Sequence, residues 1–296
     1  MATKTVDLNR LKGAVGFKLA VHCWCNRAKA DVSRVETDAD KTRLSLSKLL
    51  VNSEEYDAIC EYSGALRKWV RLRTMPSYFA DGVYLVKVDA YQEISEKMRA
   101  ARAEYMELVE KFVAVYPTKV NEARETLKDQ FRADDYPDAS ELRAEFSIED
   151  FWVSFAAPDN LPSEFKKAEA DKLERRMADA ADCITQALRE GFLKLVTKAS
   201  ETMVPVPGEK PKKFFDSAVG NIVQFIDTFQ QRNLTNDLEL EKLIVQAKQI
   251  IDAPEMKDVR KDMNVRASIG TKFQELANAM DGMVEVKKKR MMTLTE

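Results

Sequence analysis

From Tyr91 onward, apolar side chains recur at helical spacing: Tyr91, Ile94, Met98, Ala101, Tyr105, Leu108, Phe112 and Val115 step by three and four up to the edge of Pro117. Sustained for this long, the spacing predicts a helix with an a/d seam of the kind that receives a second helix. At 1.5 Å per residue, a helix over residues 89–116 is about 40 Å long. Val120, Ala123, Leu127 and Phe131 carry a similar stripe past Pro117, where the missing N–H predicts a kink or a tight break. Ser163 then caps a second long helix reaching about Met203, in which Ala170, Leu173, Met177, Ala180, Ile184, Ala187 and Gly191 repeat the pattern. Two such helices predict an antiparallel hairpin, with Ala180, Ala187 and Gly191 small enough to admit a close neighbour.

Period-two alternation marks a smaller β element. Over residues 14–25, Val15, Phe17, Leu19, Val21, Cys23 and Cys25 fall on one face, and Gly16, Lys18, Ala20, His22 and Trp24 on the other. The segment "GVYLVKV" at 82–88 reads as a partner strand. Between them, a charged surface connection leads into "LSLSKLLV", a short helix or strand. A helix then runs from the Ser53 cap, with Tyr56, Ile59, Cys60, Leu66, Trp69, Val70 and Arg73 at helical spacing, and ends by Pro76. Residues 133–162 read as a connector that packs back on the core, because Phe146, Phe151, Trp152 and Phe155 are more aromatic surface than a free linker carries.

The run "VPVPGEKPKK" at 204–213, with three prolines and a glycine, is the clearest boundary. It divides a domain over 1–203 from a helical bundle over 214–282, followed by a flexible basic tail over 283–296. Three amphipathic stripes build the bundle: Phe215 to Phe229, Leu240 to Ile251 behind a Thr235 cap, and Val265 to Met280. The fold class expected is mostly α, with a long antiparallel helical hairpin, a minor β element near the N-terminus and a C-terminal helical bundle.

Composition sets limits on function. With 47 basic and 49 acidic residues the net charge is -2, so any attraction to nucleic acid must be local. The opening residues lack the apolar run of a signal segment, and no stretch approaches the roughly 18 apolar residues of a membrane span. A cytoplasmic location without membrane contact is expected. The four cysteines, at 23, 25, 60 and 183, form no regular framework and read as small buried thiols.

Chemistry is sparse. "AVHCWCNRAK" holds the only histidine beside Cys23 and Cys25, but on a strand His22 points away from both thiols, and no second ligand pair exists for a tetrahedral ion. The same geometry separates a Cys nucleophile from its base. Acidic pairs such as Glu54-Glu55, Asp134-Asp135 and Glu149-Asp150 single out no carboxylate–metal set, and the nucleotide-binding and serine-hydrolase motifs are missing from the sequence. No cofactor or catalytic residue is therefore expected. The helix "LRKWVRLR" places Arg67, Lys68, Arg71 and Arg73 around Trp69, a pattern able to hold phosphate and stack a base, and "KKKR" at 287–290 adds charge in the tail.

The stretches "FKLAVHCWCNRAKAD", "LRKWVRLRTMPSYFADGVYLVKVDAYQEI" and "FSIEDFWVSFAAP" together resemble an uncharacterised domain family of phage and proteobacterial proteins, often encoded near a MoxR-type AAA+ ATPase and a von Willebrand factor A-domain protein. The similarity covers about the first half of the chain and assigns no catalytic residues. It implies a partner of a remodelling ATPase or a phage accessory protein. The expected function is a non-enzymatic interaction protein, forming homo-oligomers or binding a partner through its helical seam and through Phe151, Trp152 and Phe155. The alternatives are a nucleic-acid-binding accessory protein using Arg67, Lys68, Trp69, Arg71 and Arg73, and an enzyme with scattered carboxylates and a divalent metal.

Overall fold

The computed structural model describes residues 11, 13–77, 80–156, 160–204, 216–259 and 262–284. The chain opens with β1 (Ala14–His22), then a two-stranded ribbon of β2 (Arg27–Lys29) and β3 (Ser47–Leu49). Helix α1 (Glu54–Arg73) leads through β4 (Met75–Pro76) and β5 (Tyr84–Lys87) into α2 (Tyr91–Leu127), the short α3 (Ala139–Ala144) and β6 (Ser147–Val153). Helices α4 (Ser163–Met203), α5 (Asp216–Arg232), α6 (Leu238–Asp252) and α7 (Met263–Ala279) complete it. The fold is mostly helical with a small antiparallel sheet, as the sequence pattern implies.

Strand order in the main sheet is β4-β5-β1-β6, all antiparallel. The 82–88 segment does pair with β1, Phe17 lying opposite Tyr84, and the aromatic connector supplies β6, which pairs with β1 from Gly16 to His22. Alternate residues of these strands face two different cores. Phe17 and Val86 join Ile59, Leu66 and Val70 of α1 and the inner stripe of α2 in a first core, while Met75 and Leu85 point into a second core built by α4 to α7.

The two long helices consequently do not pack as a hairpin. The buried stripe of α2 from Ile94 to Tyr116 lies in the first core, and the buried apolar stripe of α4 lies in the second. On α2, ahead of a further buried residue at Ala123, the buried positions up to Tyr116 are Ile94, Met98, Ala101, Tyr105, Val109, Phe112 and Tyr116. They step by four, three, four, four, three and four, which follows the 3.6-residue turn of a straight helix and drifts off the heptad expected from Leu108 and Val115. Pro117 neither breaks nor ends α2: it sits on the exposed side, where water can take up the carbonyl freed by its missing N–H. On α4 the buried stripe runs through Ala180, Ala181, Ile184, Leu188, Phe192, Val196 and Met203, so of the small residues Ala180 is buried, Gly191 is half-buried and Ala187 is exposed. Leu188 and Phe192 have far more apolar area to remove from water than Ala187 and Gly191, and that decides which face turns inward. α4 shares its core with α5 to α7, so the helices on either side of 204–213 pack together. Residues 205–215 and the "KKKR" run lie outside the described residues.

Helix ends follow local chemistry. Ser53 caps α1 by accepting from the Tyr56 N–H, with Glu54, Glu55 and Asp57 in the first turn and Arg71 and Arg73 in the last. Ser163 is the first residue of α4, not its cap, and α6 is capped by Asp237, not Thr235, whose hydroxyl bonds Thr185 at 2.8 Å.

Two polar clamps hold the cores in register. The Lys48 side chain, 5% exposed, pairs with Asp135 at 2.7 Å and bonds the Gln130 carbonyl, while Gln130 makes paired bonds of 2.8 and 3.0 Å with the Asp31 backbone, so the β2–β3 ribbon is tied to the segment after α2. In the second core, Arg189 of α4 forks onto Asp237 at 2.6 and 2.9 Å and also reaches Glu239 and the Met283 carbonyl, joining α4, the start of α6 and the turn after α7. Burial raises the Asp237 carboxyl, but the Arg189 fork and the helix N–H groups outweigh it and hold the group below its ordinary value of 3.8.

Removing the guanidinium leaves a buried carboxylate, so Arg189→Met should cost about 3–5 kcal/mol in urea unfolding. A carboxyl lowered on folding adds stability that is complete above its ordinary value near 3.8 and is lost as pH falls through the lowered folded value. Asp237→Asn should therefore flatten that part of the acid limb of stability against pH, measured by urea titration across the acid range.

Candidate interaction surface

The sheet is covered unevenly. The first core backs one face along β1, β5 and β6. On the other face, α5 packs over β5 and the Phe155 ring covers Gly16 of β1, while Lys18 and Phe151 beyond it stand exposed. β6 is also an edge strand. Its alternation places Ile148, Asp150 and Trp152 toward the first core and Glu149, Phe151 and Val153 outward, and Phe151 and Val153 are 50% and 41% exposed. Opposite them on β1 lie Lys18 and Gly16; Ala20 faces Glu149 and His22 faces Ser147. The result is an apolar pair bordered by one cation and one carboxylate.

The three aromatics expected to bind a partner have three different fates. Phe151 is free on the surface. Trp152 faces inward and packs on Phe17 at 4.9 Å and Tyr91 at 4.6 Å. Phe155, past the end of β6, turns back to close the second core, and its ring lies where a Cβ on Gly16 would approach to 2.9 Å. Of the three, only Phe151 is thus exposed, joined on that side by Val153, which the same alternation could have revealed once β6 was read as a strand.

The edge itself is partly occupied. Arg102 of α2 donates from Nε to the Ile148 carbonyl at 3.1 Å and forms an ion pair with Asp150. The outward carbonyl at Ile148 is thereby satisfied and the start of the edge is closed to strand addition. Asp150, Phe151, Trp152 and Val153 form the open part.

The five residues of the basic helix also divide. Lys68 and Arg71 stand on the exposed face of α1, and Arg67 beside them donates to the Val21 carbonyl at 3.1 Å. Trp69 lies on another face, half buried against the first core; Arg73 stacks on its ring at 4.4 Å and reaches Glu93 at 3.6 Å. The aromatic and the three outward cations do not converge on one phosphate-and-base site.

Around "HCWC" the strand ends at His22, and the next residues leave strand geometry. Trp24, placed by alternation on the His22 face, turns into the first core against Tyr56, Phe112 and Tyr116. Cys23 is half buried, and burial pushes its thiol up; Cys25, Cys60 and Cys183 are exposed, not buried as expected. A cleft of about 280 Å³ between His22, Cys23, Glu145, Ser147 and Glu149 adjoins the outer face, but among the described residues no three His, Cys, Asp or Glu side chains gather as a metal site. No described helix is long and apolar enough to cross a membrane. No family model, curated protein or solved structure matches the chain.

Two substitutions separate surface from support. Phe151→Ser should change unfolding free energy by no more than about 0.5 kcal/mol, since the side chain already faces water. Gly16→Ala forces a methyl against the Phe155 ring and the Val153 carbonyl and should cost about 1–3 kcal/mol in the same urea measurement.

Proposed function

We propose that the chain is a non-enzymatic interaction protein that docks a segment of a protein partner on the open outer face of β6. The observation that carries this reading is the exposed pair Phe151 and Val153 on the outward side of the edge strand β6. Adjacent apolar side chains of this size serve as anchors when a partner excludes water from them, and Lys18 and Glu149 supply a polar rim. With Arg102 closing the start of the edge, recognition relies on side chains and a short run of backbone, not on a full added strand. The sequence resemblance supports a MoxR-type AAA+ ATPase as the partner, in the setting of a phage-encoded accessory protein in the host cytoplasm. Self-association is the second contact the long helices support: no residue from Ser163 to Asp179 of α4 is fully buried, and Phe165 there is 54% exposed, which leaves helical surface for coiled-coil pairing.

The test is retrieval of the tagged full chain from a native lysate with and without a slowly hydrolysed ATP analogue, read by mass spectrometry and by absorbance for nucleic acid. The expected result is nucleotide-dependent recovery of an AAA+ ATPase that Phe151→Glu with Val153→Glu abolishes and Lys68→Glu with Arg71→Glu leaves intact. Undiminished recovery by the Phe151→Glu, Val153→Glu variant overturns the docking face. Nucleic acid recovered in place of a protein, and lost with the Lys68→Glu, Arg71→Glu variant, replaces the reading with the accessory nucleic-acid binder. Light scattering of the purified chain reads self-association separately.

A further inference from the structure

Two thiols lie where the chain leaving β1 runs beside α1. The two segments are pinned together at two points. Tyr56 Oη donates to the Trp24 carbonyl at 2.8 Å, and an Arg67 guanidinium N–H donates to the Val21 carbonyl at 3.1 Å. Cys23 lies between the pinned Val21, near the end of β1, and the pinned Trp24 just past it, and Cys60 lies between Tyr56 and Arg67 of α1, one helical turn beyond Tyr56. The Cys23 thiol donates to Tyr56 Oη at 3.7 Å, and Cys60 is on the Tyr56 side of α1, between the two hydrogen bonds that join the segments. Cys60 is exposed and Cys23 half buried. The other two thiols are elsewhere: Cys25 is turned to the Arg27 carbonyl at 3.4 Å, and Cys183 is on α4.

We propose that Cys23 and Cys60 are a disulfide-forming pair that clips the end of β1 to α1 when the chain meets a small-molecule disulfide. Exposed Cys60 reacts first. Its thiol loses a proton, and the thiolate attacks one sulfur of the oxidant; the S–S bond of the oxidant breaks, and its other half leaves as a thiolate that takes up a proton. The Cys23 sulfur then attacks the Cys60 sulfur, the mixed disulfide breaks, and the second half leaves as a thiol carrying the Cys23 proton. Two protein thiols are oxidised, one small disulfide is reduced to two thiols, and no further reactant is needed. Burial disfavours the Cys23 thiolate, and its fixed place beside Cys60 compensates by making the second step intramolecular.

The experiment exposes the purified full chain to oxidised glutathione, alkylates the remaining thiols, and maps the non-reduced digest by mass spectrometry. The expected result is a cross-linked peptide pair holding Cys23 and Cys60, an intact mass lower by about 2 Da before alkylation, and alkylated Cys25 and Cys183. The thermal midpoint should rise on oxidation, and Cys60→Ala, a change at an exposed position, should abolish both the cross-link and the rise. A stable glutathione adduct on Cys60 with Cys23 alkylated overturns the proposal, as does a Cys23–Cys25 bridge. Cys23→Ser gives the converse check: the adduct on Cys60 should then persist, and its failure to accumulate counts against Cys23 as the resolving thiol.

Discussion

The structure depends on one strand being shared by two cores. β1 is only nine residues long, yet Phe17 closes the first core while Gly16, the residue before it, lies in close contact with the Phe155 ring at the margin of the second. Period-two geometry makes this possible, since neighbouring residues face opposite sides of a sheet. Leu85 and Val86 repeat the division on β5. A slip of one residue in the pairing of β1 would exchange the two faces and leave both cores wrongly filled. Gly16 marks where the constraint is tightest, because any side chain there meets the Phe155 ring, the Val153 carbonyl and Val83 within 3.1 Å.

Apolar burial closes each core, and buried charges fix how the pieces meet. Lys48 and Arg189 each join segments distant in sequence, and each has its charge answered by a carboxylate and its further donors by carbonyls. Such pairs contribute little net stability but make wrong arrangements costly, because a misplaced partner leaves an ion without water. Arg232 shows the limit of this device: with the Phe225 ring and carbonyl as its contacts, burial lowers its guanidinium to about 10.

The proposed docking face lies where this packing stops. α5 packs over β5 and the Phe155 ring covers Gly16, so the residues turned outward beyond them, Lys18 and Phe151, are the ones the fold does not use. Trp152 and Phe155, adjacent in sequence to that surface, are consumed by the two cores. The same accounting applies to α1: Trp69 and Arg73 support the packing, whereas Lys68 and Arg71 remain in solvent. A cluster of side chains in sequence is thus a poor guide to a site when strand and helix periodicities send its members to different faces.

The sequence by itself determined the kind and place of most elements. Alternation over residues 14–25 located β1, though the strand stops at His22, "GVYLVKV" located its partner, and three-four spacing located both long helices. These are local signals, written by the repeat of the backbone and readable from a short window. Only the tertiary structure decided what those faces meet. The stripes of α2 and α4 read alike as helix-pairing seams, yet one is matched by α1 and the sheet and the other by α5 to α7, and no local pattern distinguishes the two. The register of β6, the departure of Trp24 from strand geometry, and the clamps between Lys48 and Asp135 and between Arg189 and Asp237 likewise depend on partners far away in the chain. Amphipathic periodicity states that a face must be covered; shape, volume and charge in three dimensions select the cover.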